Sequence, residues 1–180
     1  MASSLTRRLV IGAVLTVVGV NFLVALGLFW LQGSVAETDG EIAGFSSLSA
    51  PTLIERDDAG TVTIRAATPR DASFALGFAH AQDRLWQMEL MRRIGAGRLS
   101  EVIGESGLSY DRMLRTLGLY RLAEGAYDRL SPLAKGHMDS YVAGVNGFLE
   151  TRSGPLPPEF LIAGIEPEPW RAADSLVWGR

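Results

Sequence analysis

Cysteine is absent from the 180 residues of the chain, lysine occurs once (Lys135), and histidine occurs twice (His80 and His137). The lack of cysteine excludes a disulfide framework, a thiolate metal site and a cysteine nucleophile within these residues. The two histidines lie far apart in the sequence, which argues against a zinc site. Because EF-hand loops and glycine-rich phosphate loops are also missing, we predict no metal and no cofactor in this chain.

A block of positive charge is lacking as well. The formal net charge is −3, the sequence pI is about 5.4, and the arginines are interspersed with acidic residues. Nucleic-acid-binding proteins usually carry a basic patch or stripe, so we predict no nucleic-acid partner. Interspersed charges of both signs are typical of a solvated helix surface.

One long apolar run is present near the amino terminus. It begins at Leu9, ends at Leu31 and carries no charge over 23 residues. About 20 apolar residues in a helix cross a bilayer core of about 30 Å, so the run predicts one transmembrane helix. Arg7 and Arg8 precede it, and positive charge stays inside. We therefore expect a membrane anchor with a cytoplasmic amino terminus and the remaining chain on the extracytoplasmic side.

Two other interpretations of this segment stay open. Ser34, Val35 and Ala36 form a small-x-small cleavage site, as in a signal peptide, although the apolar run exceeds the usual length of about 7–15 residues. The pair Arg7 and Arg8 also fits a twin-arginine signal, although the flanking residues match that pattern poorly. Residues 1–32 are accordingly assigned to a transmembrane anchor or signal segment.

The next two segments predict a linker and a hairpin. Residues 33–51 are rich in Gly and Ser and end at Pro51, as linkers do. The β-branched runs 52–56 and 61–65 flank the turn sequence Asp-Asp-Ala-Gly, which predicts two strands joined by a turn. Gly60 can adopt a positive φ there, and Asp57 can bond the turn backbone.

Helices are predicted for most of the remaining chain. Thr68 and Pro69 supply an N-cap hydroxyl and a proline at the first helical position, and Gly95 and Gly97 end this first helix. The further helices are predicted over 99–103, over 110–130, over 132–151, and from Asp174 onward. The buried side of the helix over 110–130 is predicted to comprise Met113, Leu114, Leu117, Leu122, Ala126 and Leu130. Because the apolar residues 176–178 carry no helix cap, we expect the last helix to be interrupted at Arg180. The fold class is therefore α+β.

Local chemistry is sparse. His80 precedes Asp83 by three residues and Arg84 by four, a spacing at which a carboxylate can orient an imidazole for catalysis. The alternative is that neighbouring side chains pin these groups as structural charges on a helix crowded with apolar residues. No Ser lies in a Gly-x-Ser-x-Gly nucleophile elbow.

The other charged groups have structural explanations. Glu89 is three and four residues from Arg92 and Arg93, as in the ion pairs of an exposed helix, which contribute about 0.2–0.5 kcal/mol each. The acidic residues in turns, which we expect in solvent, are Asp57, Asp58, Glu166 and Glu168.

One block of sequence resembles a known family. Residues 80–93 read His-Ala-Gln-Asp-Arg-Leu-Trp-Gln-Met-Glu-Leu-Met-Arg-Arg, and Gly-Arg-Leu-Ser-Glu follows at 97–101. This block is similar to the first helix region of the penicillin acylase family. The matching features downstream are Asp111, Arg115, Leu117, Gly118, Tyr141, residues 144–146, 156–160, 168–170 and 174–176. The resemblance covers 52–180; the hairpin departs from the family where Thr61 and Val62 replace a common Pro-His.

The resemblance implies an N-terminal-nucleophile hydrolase with an αββα sandwich. In this family a precursor cleaves itself into an α chain and a β chain, and the new amino-terminal residue of the β chain, usually Ser, attacks an amide. Its own α-amine serves as base, and an oxyanion hole stabilises the tetrahedral intermediate. The substrates are amides of hydrophobic acyl groups, including penicillins, cephalosporins and acyl-homoserine lactones.

By the same resemblance, residues 52–180 correspond to an incomplete α chain. The nucleophile is expected beyond Arg180, so no catalytic role is assigned to any residue here. A β chain of the same precursor is the implied partner, and a structural Ca²⁺ is implied for the full-length protein only.

Three hypotheses follow. The chain is the amino-terminal part of an acylase and inactive alone, or a non-catalytic, membrane-tethered helical binding module derived from one, or a subunit that is active with a separately encoded β chain.

Overall fold

A computed structural model describes the backbone of residues 4–179 and the side chains of residues 7–179. Two strands, β1 (Leu53–Arg56) and β2 (Val62–Arg65), pair antiparallel, with Leu53 opposite Arg65. Eight helices and a 3₁₀ turn at Gly104–Gly107 complete the described chain. The helices are α1 (Ser4–Ser34), α2 (Pro69–Gly95), α3 (Ser100–Ile103), α4 (Leu108–Leu117), α5 (Leu119–Asp128), α6 (Pro132–Thr151), α7 (Pro158–Ala163) and α8 (Ala172–Leu176). The architecture is thus mostly helical with one hairpin, as predicted.

Helix α1 contains the apolar run. From Arg7 to Ser34 it is long and apolar enough to cross a membrane, and none of its most apolar stretch is buried against the remaining chain. A signal sequence near the amino terminus has the same properties. The predicted helix is therefore confirmed, while its use as anchor or signal stays a prediction.

The linker predicted over 33–51 begins with the last two residues of α1, and its remainder, residues 35–51, lies against the domain. We call residues 35–51 the strap. The ring of Phe45 packs on Phe74 with centroids 5.1 Å apart. The backbone N–H and hydroxyl of Ser49 donate to the carboxylate of Asp71 at 2.9 and 2.5 Å. Further along α2, the side-chain amide of Gln82 donates to the carbonyl of Glu37. The strap is held by these contacts although it contains no helix or strand.

The hairpin forms as its turn chemistry predicts. The carboxylate of Asp57 accepts hydrogen bonds from the backbone N–H groups of Ala59 and Thr61, at 3.0 and 2.7 Å. These donors, that of Thr61 first, lower the pKa of Asp57. Gly60 has φ +78°, which a side chain would disfavour.

The core lies between α2 and α6. Helix α2 begins where the Thr68 hydroxyl accepts the N–H of Asp71, as predicted for the N-cap. The backbones then approach closely at two glycines: a Cβ on Gly77 would lie 2.1 Å from the carbonyl oxygen of Tyr141, and one on Gly144 would lie 1.9 Å from that of Phe74. The buried residues of this core are Phe74, Phe78, Ala81, Leu85, Val145, Phe148, Phe160 and Trp170.

The prediction of a single helix over 110–130 is wrong, because this stretch forms the two helices α4 and α5. Gly118 adopts the left-handed conformation, with φ +67°, and its N–H closes α4 on the carbonyl of Leu114. Helix α5 starts in a new direction and packs on α8 through Ala123. Met113, Leu117 and Leu122, predicted on the buried side, are each more than half exposed.

The carboxyl-terminal elements also differ from expectation. Helix α7, which was not predicted, ends at Gly164 with φ +65°. Helix α8 begins at Ala172, before the predicted Asp174, because the Asp174 carboxylate accepts the N–H of Arg171 at 2.8 Å and caps its start. It ends at Leu176, so the predicted continuation through Trp178 is not observed within the described residues.

Candidate functional site

His80 does not pair with Asp83. Its Nδ1 lies 3.0 Å from the hydroxyl oxygen of Tyr141, and the two rings meet edge to face with centroids 5.8 Å apart. The carboxylate of Asp83 instead binds the guanidinium of Arg56 at 2.9 Å. The interpretation as a catalytic imidazole oriented by Asp83 is therefore wrong, and the structural interpretation describes these charges.

Helix α2 is kinked at Arg84. This residue has φ −137° and ψ 24°, outside the helical region, although the hydrogen-bonded helix continues on both sides. No Pro or Gly stands at the kink. The kink coincides with the side-chain contacts of Asp83 with Arg56 and of Arg84 with Gln87, at 3.2 Å. The two halves of α2 consequently face different parts of the domain.

His137 meets a serine that the sequence did not single out. Its Nδ1 lies 2.9 Å from the hydroxyl oxygen of Ser73, which also donates to the carbonyl of Pro69 at 3.0 Å. A nucleophile needs a base and also oxyanion donors nearby. The Ser73 hydroxyl already donates its proton to the backbone of its own helix. We therefore interpret its contact with His137 as a structural link between α6 and α2.

The carboxyl-terminal half of α2 carries a buried charge cluster, defined by Glu89, Arg92, Arg93 and Asp174. All four side chains are at least 95% buried. The Glu89 carboxylate accepts hydrogen bonds from both arginines, that from Arg93 at 2.6 Å. The sequence predicted these as exposed helix pairs, which is wrong, because α8 and the segment 166–171 cover this face of the helix.

Arg92 is surrounded on all sides. One of its Nη atoms donates to the carbonyl of Pro169 at 3.2 Å, and its Cζ lies 5.5 Å from the ring centroid of Trp170. Within the described side chains the Nε of Arg92 finds no acceptor. The indole ring of Trp170 attracts the guanidinium by a cation–π interaction. Removing one partner from such a cluster leaves a buried charge uncompensated.

The segment 166–171 is joined to α6 and α8 by polar contacts. The side-chain amide of Asn146 donates to the carbonyl of Trp170 at 3.0 Å and accepts the Trp170 N–H at 2.6 Å. The hydroxyl of Tyr120 donates to Asp174 at 2.8 Å. Burial first, and then this carboxylate, raise the pKa of Tyr120 to about 12.

An outer set of charges flanks the cluster. Arg98 donates to Glu168 at 2.5 and 3.1 Å and to Glu101 at 2.8 and 2.9 Å, and Glu101 also accepts from Arg93. The Arg98 guanidinium lowers the pKa of Glu168 to about 2. Glu166 is exposed as expected, and the partly exposed side chain of Glu168 makes an ion pair with Arg98 that was not predicted.

Asp111 fixes the start of α3 from a distance. Its buried carboxylate accepts from the N–H groups of Leu99 and Ser100 at 2.6 and 2.9 Å, and from the Ser100 hydroxyl. Burial alone would raise the pKa of Asp111, but these donors outweigh it and lower the pKa. No local sequence pattern indicates this role, because the donors lie on another element.

The exposed face beside the kink is an open apolar groove of about 500 Å³, which we call the Met/Trp groove. Its floor combines thioether and aromatic side chains from α2, α6 and the last described residues. The residues that define it are Met88, Met91, Met138, Tyr141, Trp170 and Trp178, with His80 and Arg84 at its edge. Flexible methionines beside aromatic rings suit contact with another apolar surface.

The charged side chains of the described residues hold one another in place by hydrogen bonds and ion pairs. Among the residues that the structure describes, no three His, Asp or Glu side chains converge in a way that would hold a metal ion. The buried carboxylates and guanidiniums are all hydrogen-bonded within the described residues, either to one another or to nearby hydroxyl and backbone groups. The arrangement is therefore a packed, hydrogen-bonded domain that carries an apolar groove on its surface.

Comparison with known proteins identifies the family to which this sequence is similar. A model of the penicillin amidase family matches residues 51–180. The chain is 41% identical over 147 residues to the penicillin acylase 2 proenzyme of Pseudomonas sp. strain SE83, which covers 82% of this chain and 19% of that relative. It is 36% identical over 151 residues to the acyl-homoserine lactone acylase QuiP of Pseudomonas aeruginosa, covering 82% and 18% respectively.

A solved structure is also similar. The thermostable penicillin G acylase from Alcaligenes faecalis superimposes with a TM-score of 0.64 at 27% identity, covering 71% of this chain and 70% of that one. The chain spans about a fifth of the length of the curated relatives it matches.

Proposed function

Because the chain belongs to the penicillin amidase family, we propose that it is the amino-terminal part of an acylase that hydrolyses the amide bond of an N-acyl compound. The substrate class is a β-lactam antibiotic or an acyl-homoserine lactone, by analogy with relatives named as penicillin acylases and acyl-homoserine lactone acylases. The observation that carries the proposal is the family match across residues 51–180.

In this proposal the reacting groups come from the remainder of the polypeptide, with a nucleophile beyond Arg180. A serine hydroxyl attacks the amide carbonyl, its proton passes to the leaving amine through the α-amine base, and an acyl ester forms. Water then hydrolyses the ester to the acid and restores the serine. In this proposal the present chain has a structural part, since the charges of its buried cluster are occupied by one another.

The Met/Trp groove is the face that we assign to the remainder of the precursor. Its residues come from α2, from α6 and from residues 170–178, so a partner seated there contacts three parts of the core together. One of the similar relatives is a proenzyme, of which this chain spans 19%. Burial of exposed apolar side chains such as Met91 would supply the main driving force.

Activity of the chain alone and with its remainder tests the proposal. We expect no release of amine or acid from a phenylacetyl amide or an acyl-homoserine lactone by the purified 180-residue chain, and release after co-expression with the remaining precursor. The control carries Ala at the expected amino-terminal Ser of the added part. Steady turnover by the purified 180-residue chain would overturn the proposal.

A matched pair of variants tests the groove. Met91→Asp places a charge in the groove, whereas Leu122→Asp places the same charge on an exposed apolar position of α5 outside it. We expect Met91→Asp to reduce co-purification of the remainder at least about tenfold, which corresponds to about 1.4 kcal/mol, and Leu122→Asp to leave it unchanged. Equal co-purification of both variants contradicts this assignment of the groove.

We further propose that α1 is retained as a membrane anchor, with the domain on the extracytoplasmic side. Arg7 and Arg8 before the apolar run support this orientation. Mass spectrometry of the membrane fraction distinguishes the alternatives: a chain that retains residues 1–34 supports the anchor, and one that begins after Ala36 indicates a cleaved signal peptide.

A structural Ca²⁺ is proposed only for the full-length protein. The described residues offer no set of three acidic or histidine ligands, so we derive no step from the ion in this chain.

A further inference from the structure

Helix α1 joins the domain without a free spacer. A methyl group on Gly33 would lie 3.6 Å from Cδ of Pro155, and one on Gly154 would lie 2.7 Å from the carbonyl oxygen of Gly33. Ser34 lines the same cavity as Arg152 and Pro157. The end of α1 therefore abuts the loop 152–157, which connects α6 to α7.

The most exposed apolar side chains of the domain lie near this junction. Outside α1, the three large apolar residues with the highest exposure among the described residues are Ile162 (85%), Val35 (74%) and Leu161 (72%). Val35 directly follows α1, and α7 begins three residues after Pro155. Three extended residues span at most about 11 Å and a helical turn rises about 5 Å, so Leu161 and Ile162 lie within about 20 Å of Gly33.

Helix α7 is held firmly while it exposes this pair. Phe160 is 1% exposed and packs edge to face on Trp86, with centroids 5.2 Å apart. The helix then closes at Gly164, whose N–H donates to the carbonyl of Leu161. Leu161 and Ile162 are thus presented outward by a helix that is fixed to the core on its other side.

The length of the apolar run gives the height of the junction above a bilayer. The 23 uncharged residues make a helix of about 35 Å, slightly longer than a hydrocarbon core of about 30 Å. If α1 spans the membrane, Gly33 lies at headgroup level, and the loop that touches it lies there too. Apolar side chains at that depth are stabilised by burial in the boundary between headgroups and acyl chains.

We propose that Val35, Leu161 and Ile162 form a second contact with the lipid bilayer, beside α1. The inference rests on the proposed membrane anchoring, which it extends from a tether to a seated domain. Two contacts, one spanning and one interfacial, fix the tilt of the domain on the membrane, which a single helix does not. The surface that faces the bilayer is then the α1–α7 end of the molecule.

Single-cysteine labelling tests the proposal directly, because the chain has no native cysteine. An environment-sensitive fluorophore is placed at Ile162→Cys, at Phe22→Cys in the middle of α1, and at Leu133→Cys. Leu133 is a matched control: it is exposed and apolar, but it lies at the start of α6, 18 residues and about 27 Å of helix from Thr151.

The full 180-residue chain is reconstituted in nanodiscs that contain phosphatidylcholine and phosphatidylglycerol. We expect the labels at positions 162 and 22 to shift to shorter wavelength and to be quenched by lipids that carry spin labels. The label at position 133 should be quenched by aqueous iodide only. In detergent-free buffer without lipid, the label at position 162 should become accessible to iodide.

The outcomes separate the two proposals. A label at position 22 that lipid does not quench overturns the anchor itself. A lipid-quenched label at position 22 with an iodide-quenched label at position 162 overturns the second contact and leaves the anchor standing. A label at position 162 that is shielded from both quenchers when the remaining precursor is present shows that protein covers α7, and this also overturns the lipid contact.

Discussion

The two halves of α2 are packed by opposite means. Before the kink at Arg84, the backbone of α2 approaches that of α6 closely, because Gly77 and Gly144 have no side chain. After the kink, it meets α8 and the segment 166–171 through a buried charge cluster, centred on Glu89. One continuous helix thus packs through close backbone contact at glycines in its first half and through buried ion pairs in its second half.

The comparison teaches why the motif residues of this helix are so different in kind. A glycine at a close backbone contact has no room for an added side-chain atom, but it also has no side-chain interaction that a substitution could remove. A neutral side chain of similar volume can take the place of a buried carboxylate, but the substitution leaves two guanidiniums without their counter-charge. The first half is therefore sensitive to gain of volume, and the second half to loss of charge.

The largest effect is expected for Glu89→Ala. Two buried arginines lose their shared acceptor, so we expect a loss of about 3–5 kcal/mol in the free energy of unfolding. Chemical denaturation of the chain in mild detergent, followed by circular dichroism, measures it. Glu124→Ala removes an exposed acid from α5 and should change the value by less than about 0.5 kcal/mol. Similar losses for both variants would show that charge packing does not distinguish the second half of α2.

The next effect tests the first half of α2. Gly144→Ala would bring a methyl group to 1.9 Å from the Phe74 carbonyl oxygen, and the backbone must shift. We expect a destabilisation of about 2–3 kcal/mol.

Gly125→Ala is the matched control in the same assay. Its added methyl group would meet the mobile end of Arg129 at 3.4 Å, within the helix α5. We expect a gain of about 0.5–1 kcal/mol from helix propensity. If Gly144→Ala is equally stabilising, α2 and α6 are not in backbone contact at this point.

The smallest effect concerns the outer charges. The pKa of Glu168 is lowered to about 2 by Arg98, while an unfolded Glu titrates near about 4.3. The pair therefore stabilises the fold fully above about pH 5, and the contribution is lost as the pH falls from about 4.5 to about 2. Since the Glu168 side chain is 44% exposed, solvent screening limits it to below about 1 kcal/mol.

The pH dependence of a conservative variant checks this sign. Glu168→Gln should lower the denaturation midpoint at about pH 7 and should differ less from the parent at about pH 3, where the carboxyl of the unfolded chain is protonated. A difference that grows as the pH falls would contradict the pairing with Arg98.

Local patterns predicted the local structure. The hairpin and the N-cap at Thr68 follow from turn and capping rules that act over a few residues. The family was also predictable, because residues 80–93 form a long and specific block. The wrong prediction of one helix over 110–130 arose because a single Gly inside a helical pattern can be tolerated or can end the helix.

The partners of the charges were not predictable. Arg98 and Glu168 are 70 residues apart, and Asp111 caps a helix that precedes it in the chain. Spacing rules on one helix assigned Glu89, Arg92 and Arg93 to solvent, because burial depends on which distant segment covers them. The strap shows the same limit: its Gly and Ser content predicts a linker, whereas its contacts with Asp71 and Phe74 depend on the folded α2.

The double contact of Asn146 with Trp170 has a consequence for exchange with solvent. A side-chain amide here occupies both hydrogen-bonding groups of one backbone residue, as a neighbouring strand would. The Trp170 amide belongs to no helix or strand, yet we expect its proton to exchange slowly with deuterium, because exchange requires this contact with Asn146 to open. Deuterium uptake at this one amide therefore reports the opening of the contact between Trp170 and Asn146.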